Sequence, residues 1–263
     1  HFDYRPPAPY DTMFDPGYAG EVSGTDFATR YLKRNEIPER DLAHLVALYD
    51  GEIRWVDEWL GRLFDELRRR GLWDNTLVVF TADHGEEFLE HRHFGHNNNL
   101  FDETLHVPLI LKLPAARAAG TRISGPFSLV DIAPTALAVA GLPQPSMWAG
   151  RDLTPVIAGE PLDRQEVFAD LWGSLHAVVT GSHKALFRQH RRRFQGKARL
   201  FDLIADPRET RNVANENPDL VRRLRRRMTQ TERDFQEFSA QLKAGDVPDD
   251  PEFEAGLRAL GYL

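Results

Sequence analysis

The sequence predicts an α/β fold followed by a smaller α+β part. Two short apolar runs, T-L-V-V-F-T-A at 76–82 and V-P-L-I-L-K-L at 107–113, are typical of strands buried on both faces. Helical patterns precede and follow them, and this alternation predicts a mostly parallel sheet flanked by helices. Past residue 160 the pattern changes to short strands with polar turns and a final helix. We therefore expect one domain over 1–160 and an antiparallel-sheet-plus-helix subdomain over 161–263.

Composition narrows the class of protein. The 263 residues carry 33 Lys and Arg against 40 Asp and Glu, a net charge of −7, which argues against a nucleic-acid-binding protein. A hydrophobic content of 41% excludes a disordered chain. The sequence contains no run of about 18 apolar residues, the length that would indicate a membrane span. The lack of cysteine excludes disulfides, thiolate metal sites and a cysteine nucleophile within these residues. Both an exported and a cytoplasmic protein fit these features.

The first elements are an irregular lead-in and a long helix. Residues 1–35 are rich in proline and glycine, which predicts irregular structure. The helix is predicted from Pro38, which suits a first turn, to Gly71, which suits a C-terminal stop. Between them apolar residues recur at spacings of three and four, and the arginines at 68–70 complement the negative end of the helix dipole.

Shorter elements follow the two apolar runs. Residues 131–141 predict an apolar helix that stops at its terminal glycine. The final helix is introduced by Asn217-Pro218-Asp219, and its five arginines between 222 and 227 are typical of a nucleic-acid patch when taken in isolation. The acidity of the whole chain favours a solvated helix face instead. The four short strands are expected at 166–170, 177–180, 184–188 and 199–203.

The densest chemical signal is D-H-G-E-E-F-L-E-H-R-H-F-G-H at 83–96, which holds four of the ten histidines. Asp83 and His84 directly follow a predicted buried strand, and open α/β sheets build their sites outside the carboxyl ends of strands. A carboxylate beside an imidazole suits a divalent metal, and Gly85 permits a sharp turn of the backbone. The alternative is a helix N-cap at Asp83 followed by a histidine-rich surface loop.

These residues resemble the sulfatase family of the alkaline-phosphatase superfamily. The resemblance is carried by T-A-D-H-G-E-E-F-L-E-H, by F-G-H, and by L-F-D-E-T-L-H-V-P-L-I-L. Four further segments in the same order are similar to family segments: Y-D-G-E-I at 49–53, S-L-V-D-I-A-P-T at 128–135, L-F-D-L-I-A-D-P-R-E-T-R-N at 200–212 and L-R-A-L-G-Y at 257–262. The resemblance implies an alkaline-phosphatase-like fold, of which this chain is the C-terminal portion.

The resemblance also implies roles for four residues. Asp83 and His84 match the late pair of metal ligands, which hold one divalent ion, usually calcium; manganese or zinc also suits an imidazole. His96 falls where many members place a lysine that contacts the sulfate and the leaving-group oxygen, so it is the candidate catalytic and substrate-binding residue. His1 matches a sulfate-binding histidine. His91, in an E-H step typical of the family, is expected to be structural.

The activity that the resemblance implies is hydrolysis of a sulfate ester, either a small molecule or a carbohydrate. The nucleophile is a formylglycine made from Cys or Ser upstream of this segment, so the segment alone is expected to be inactive and to bind metal poorly. Two alternatives stay open. One is a phosphonate monoester or phosphodiester hydrolase of the same superfamily, and the other is a catalytically inactive sulfatase-like binding module.

Overall fold

A computed structural model describes residues 3–25, 37–96, 98–145, 148–163, 166–190 and 193–241. Two compact units are distinguished by their internal contacts, His1–Asn217 and Pro218–Leu263. The first unit contains both predicted sheets. The domain boundary at residue 160 therefore stays a prediction. The predicted bounds of helices and strands, in contrast, can be compared directly with those in the structure.

The long helix has nearly the bounds that the sequence predicts. After the four-residue helix α1 (Tyr10–Met13), helix α2 spans Glu39–Arg69. Pro38 precedes it with φ −54, and acidic residues in the first turn complement the positive end of the dipole. Gly71 ends the helix with φ +68, a left-handed conformation that glycine adopts at little cost. The prediction of this helix is confirmed.

The N-terminal third of α2 packs on an apolar cluster. Tyr4, Val22, Leu45, Leu48 and Phe94 form this cluster, and all of them are at most 7% exposed. Farther along α2 the apolar side chains lie at the surface, at half or nearly half of their full exposure: Ile53, Val56, Trp59 and Leu63. The helix is therefore buried at its beginning and exposed along its later turns.

The first sheet differs from the prediction. Strands β1 (Val78–Thr81) and β4 (Leu109–Lys112) pair antiparallel, and their residues are half-buried or exposed rather than buried on both faces. Parallel neighbours need a crossover connection of a dozen or more residues, usually a helix. Residues 82–108 instead supply a hairpin, β2 (Glu87–Phe88) with β3 (Phe94–Gly95), and the one-turn helix α3 (Asp102–Leu105).

A buried turn introduces the next helix, α4 (Ile132–Val139). Ser128 and Asp131 form a reciprocal capping box, so the first backbone N–H groups find side-chain acceptors. Asp131 is fully buried and also accepts the Arg151 N–H at 3.0 Å. Capping of the helix start thus accounts for the serine and the aspartate in the segment S-L-V-D-I-A-P-T. The single-turn helix α5 (Thr154–Ile157) follows.

The second sheet is an antiparallel meander, as predicted. Its order is β5 (Glu166–Leu171), β6 (Leu175–Thr180), β7 (His183–His190) and β8 (Arg193–Asp202). Small and branched apolar residues of β6, β7 and β8 have almost no exposed surface: Ala177, Val178, Ala185, Leu186 and Leu200. This sheet has a well-packed apolar core within the first unit.

The second unit is described only through helix α6 (Pro218–Gln241), which begins at the predicted proline. Arg222 pairs with Asp219 on its surface, as the interpretation of a solvated arginine face requires. Within the part of the chain that the structure describes, no helix has the length and apolarity needed to cross a bilayer. The family-like ending at 257–262 lies outside the described residues.

Candidate functional site

The predicted metal residues occupy the turn directly after β1. The Asp83 carboxylate accepts the His84 N–H at 3.0 Å, and its side chain is 72% exposed. The His84 Nδ1 lies 2.8 Å from the Gly85 carbonyl oxygen. Because a carbonyl oxygen can only accept, Nδ1 carries the proton, and in the neutral ring Nε2 is then the nitrogen able to bind a metal. That Nε2 lies 3.8 Å from the Asp83 Oδ1.

This pair suits one divalent cation as two of its ligands. Ligand distances of about 2.0–2.5 Å allow two donor atoms 3.8 Å apart to contact the same ion. Among the residues that the structure describes, no group of three or more His, Asp or Glu side chains is arranged to hold a metal ion. The described residues thus supply two donors, a carboxylate oxygen and an imidazole nitrogen.

His96 lies beside this pair. Its ring stacks on the His84 ring with centroids 4.2 Å apart and planes inclined by 30°. His96 is 8% exposed, and its Nδ1 lies 3.0 Å from the Glu86 Oε1. The carboxylate orients the ring, because it accepts from Nδ1. His96, which follows Asp83 by thirteen positions and His84 by twelve, thus lies with them at the end of β1.

Glu86 was not singled out from the sequence, although its buried carboxylate contacts His96. Its carboxylate is 4% exposed and faces His96 on one side. Burial, and then the negative charge of Glu86, raise the pKa of the Tyr4 phenol far above its usual range. The same two causes raise the pKa of Tyr49. Both phenols therefore keep their protons at neutral pH. The signal in the sequence was the doubled E-E after D-H-G.

Glu87, the second of these glutamates, shapes the hairpin loop. It is fully buried, and its Oε1 accepts the N–H groups of His91 at 2.7 Å and His93 at 2.9 Å. The His91 ring stacks on Phe101 with centroids 3.5 Å apart, and its Nδ1 lies 3.3 Å from the Glu103 Oε2. These contacts are internal to the fold, in keeping with the structural role expected for His91.

The remaining predicted site residue, His1, lies outside the described residues. The proline-rich segment that follows it is described from residue 3 and joins α2 by side-chain contacts. Asp15 accepts two hydrogen bonds of 2.7 Å from the Arg40 guanidinium. These bonds are the main cause that lowers the Asp15 pKa. The structure therefore brings together three of the four predicted residues.

Two family sequence profiles match the chain. The Sulfatase profile matches residues 1–142, and the profile described as N-sulphoglucosamine sulphohydrolase, C-terminal, matches residues 89–234. Arylsulfatase K of Bos taurus is 29% identical over 228 residues, which are 81% of this chain and 42% of that protein.

Solved structures resemble the fold over most of the chain. The phosphonate monoester hydrolase SpPMH from Silicibacter pomeroyi has a TM-score of 0.70 and 26% identity, covering 86% of this chain and 52% of its own. BT4656, solved with its substrate D-glucosamine-2-N,6-O-disulfate, has a TM-score of 0.58 and 24% identity over 86% of this chain and 47% of its own. The chain thus spans about half the length of the proteins that it matches.

Proposed function

The chain belongs to the sulfatase family, and we propose that it carries one side of an active site that hydrolyses a sulfate ester. The predicted α/β, alkaline-phosphatase-like fold is confirmed by the likeness to the solved structures described above. The observation that supports the proposal best is the meeting of Asp83, His84 and His96 at the end of β1, with ring centroids of the two histidines 4.2 Å apart.

Each of these side chains has a distinct proposed role. Asp83 and His84 would hold one divalent cation, with calcium the first candidate and manganese or zinc the alternatives. When bound, such a cation supplies positive charge that stabilises the charge developing on the ester oxygens. With its Nδ1 donating to Glu86, His96 would donate from Nε2 to the sulfate or to the leaving-group oxygen as the imidazolium, in which both ring nitrogens carry a proton. His1 would add a further donor to the sulfate.

The rest of the catalytic apparatus is proposed to lie outside these 263 residues. A formylglycine upstream would be the nucleophile, and further ligands would complete the coordination of the cation. A site with two ligands holds calcium weakly, because calcium takes about six to eight oxygen ligands in proteins. We therefore expect the isolated chain to show no turnover. Titration calorimetry should detect no tight stoichiometric binding of calcium, and detection of such binding would contradict this part of the proposal.

The main test uses the full-length protein with calcium and an aryl sulfate. Asp83→Asn and His84→Ala should each lower kcat/KM by about a hundredfold or more, because each removes a ligand of the cation whose charge stabilises the transition state. Chelation should abolish turnover, and added calcium should restore it. Asp74→Asn changes an exposed aspartate away from the turn and should leave activity unchanged. Equal activity of all three variants would overturn the assignment of the metal residues.

The alternative is a phosphonate monoester or phosphodiester hydrolase. It is favoured by one specific observation, the TM-score of 0.70 and 26% identity to the phosphonate monoester hydrolase SpPMH. An aryl sulfate, an aryl phosphonate monoester and an aryl phosphodiester should be compared at equal concentrations. A higher kcat/KM for the sulfate supports the sulfatase, and a higher value for either phosphorus ester supports the alternative. Metal binding without turnover of any ester would identify a binding module.

A further inference from the structure

A buried ionic cluster joins the second sheet to helix α3. Lys184 of β7 is fully buried, and its Nζ lies 2.5 Å from the Asp102 Oδ1 and 2.9 Å from the Glu209 Oε2. It also donates to the Leu100 carbonyl oxygen at 3.3 Å. An ammonium group is expensive to bury unless it is paired and hydrogen-bonded. Here all three of its donor directions have an acceptor, so the cluster specifies where α3 lies relative to β7.

Glu209 fixes the other side of this cluster. It follows β8 with φ +53, a left-handed conformation that is uncommon outside glycine. Its side chain is 1% exposed, and its Oε2 accepts the Asp102 backbone N–H at 2.7 Å as well as the lysine. Burial raises the pKa of Glu209, and the charge of Lys184 opposes that effect. The first residue of α3 is thus held through both its side chain and its backbone.

Helix α3 in turn holds the turn of the candidate metal site. The Gly85 N–H donates to the Thr104 carbonyl oxygen at 2.9 Å. A Cβ placed on Gly85 would lie only 2.0 Å from the Glu103 carbonyl oxygen, so the backbone after His84 lies directly against α3. A displacement of α3 would therefore remove the acceptor of the Gly85 N–H and release the turn that carries Asp83 and His84.

We propose that Lys184 is a positioning residue for the Asp83–His84 turn, acting through Asp102 and α3. The inference rests on the proposed function only in that this turn is taken to be the metal site. Lys184 itself contacts Asp102, Glu209 and Leu100 rather than either candidate ligand. Its effect would be transmitted by four steps: Lys184 to Asp102, Asp102 to Thr104 within α3, Thr104 to Gly85, and Gly85 to His84.

The test is hydrogen exchange of single amides in the 263-residue chain, combined with NMR signals of the histidine rings. In Lys184→Met the Gly85 amide should exchange at least tenfold faster relative to the Val178 amide, which reports on the sheet core. The ring signals of His84 and His96 should shift in the same variant. Lys112→Met is the matched control, because Lys112 also donates to backbone carbonyls, those of Trp73 and Thr76. It should leave the exchange of Gly85 relative to Val178 and the ring signals of His84 and His96 unchanged.

A purely structural lysine would change both amides together. Equal acceleration of Gly85 and Val178 in Lys184→Met, with unshifted histidine rings, would therefore overturn the proposal. If that variant does not fold, Asp102→Asn is informative, because the Asp102 side chain is one-third exposed and its loss is milder. It should accelerate Gly85 selectively by about threefold, and unchanged exchange would also overturn the proposal.

The same measurements separate this inference from the proposed function. Exchange at Gly85 does not require turnover, so selective acceleration supports positioning even if no sulfate ester is hydrolysed. Conversely, an active sulfatase in which Lys184→Met leaves Gly85, His84 and His96 unaffected would retain the proposed function and refute the positioning role.

Discussion

The second sheet and the long helix bury their apolar residues to very different extents. In the sheet, Val178 and Leu200 have no exposed surface. On α2, Trp59 and Leu63 keep 54% and 52% of theirs, and Ile110 of β4 keeps 60%. Because burial of apolar surface is the main stabilising contribution in folding, the sheet is expected to be the more stable region. The candidate ligands follow β1, in the less buried region, and the cluster around Lys184 connects them to the more stable one.

The largest expected effect is a cavity in the second sheet. Leu200→Ala should lower the free energy of unfolding by about 2–5 kcal/mol, because truncating a fully buried leucine loses transfer free energy and leaves a void. Leu63→Ala on α2 is the matched control. It should cost less than about 1 kcal/mol, since half of that side chain already contacts water. Urea unfolding of the chain measures both changes. Similar losses for the two variants would contradict the comparison.

A smaller effect is expected from glycine replacement on the exposed part of α2. Gly61→Ala should stabilise the chain by about 0.5–1 kcal/mol, because alanine lowers the entropy of the unfolded chain and suits a helix interior. A Cβ at Gly61 meets no atom within 4 Å among the described residues. At Gly51, in the packed part of the same helix, it would lie 2.4 Å from the Tyr10 carbonyl oxygen. Gly51→Ala should therefore destabilise, and the opposite order of Tm values would refute the contrast.

The same contrast explains how far the sequence was informative. The bounds of α2 could be predicted because Pro38 and Gly71 act locally on backbone dihedral angles. The antiparallel pairing of β1 with β4 could not be predicted. Each strand is recognisable from its own residues, but the direction of pairing depends on the path of the long connection between them. The apolar runs predicted burial on both faces, but apolar residues do not specify which surfaces cover them.

The candidate site was predictable in part for a related reason. Asp83, His84 and His96 lie within fourteen residues of sequence, so a local motif identifies them. Glu86 lies in the same motif but carries no distinctive spacing. Lys184 and Asp102 are 82 residues apart, and a lysine in a strand gives no sign that it will be fully buried. Contacts between distant segments thus contribute to the site without a local signature.

The smallest expected effect is a difference in the pH dependence of the two regions. Asp202, at the end of β8, accepts the N–H groups of Ala205 and Ile204 at 3.0 Å each, and these bonds lower its pKa from the usual 3.8. Its contribution to stability is therefore present above 3.8 and is lost as the pH falls through the lower, folded-state value. On α2, burial raises the pKa of Glu52 from the usual 4.5. Its contribution is present below 4.5 and is lost as the pH rises through the higher, folded-state value.

These opposite signs make the two carboxyls a direct test of the comparison. Asp202→Asn keeps an acceptor oxygen but no longer titrates, so the sheet amides near β8 should lose part of their acid sensitivity below pH 3.8. Glu52→Gln should instead remove part of the loss of protection that α2 amides show as the pH rises above 4.5. Amide exchange measured from acid to neutral pH reports both regions in one experiment. If Glu52→Gln changed only the acid side, the carboxyl of Glu52 would be stabilised in its charged form, and the buried environment that the structure gives it would be wrong.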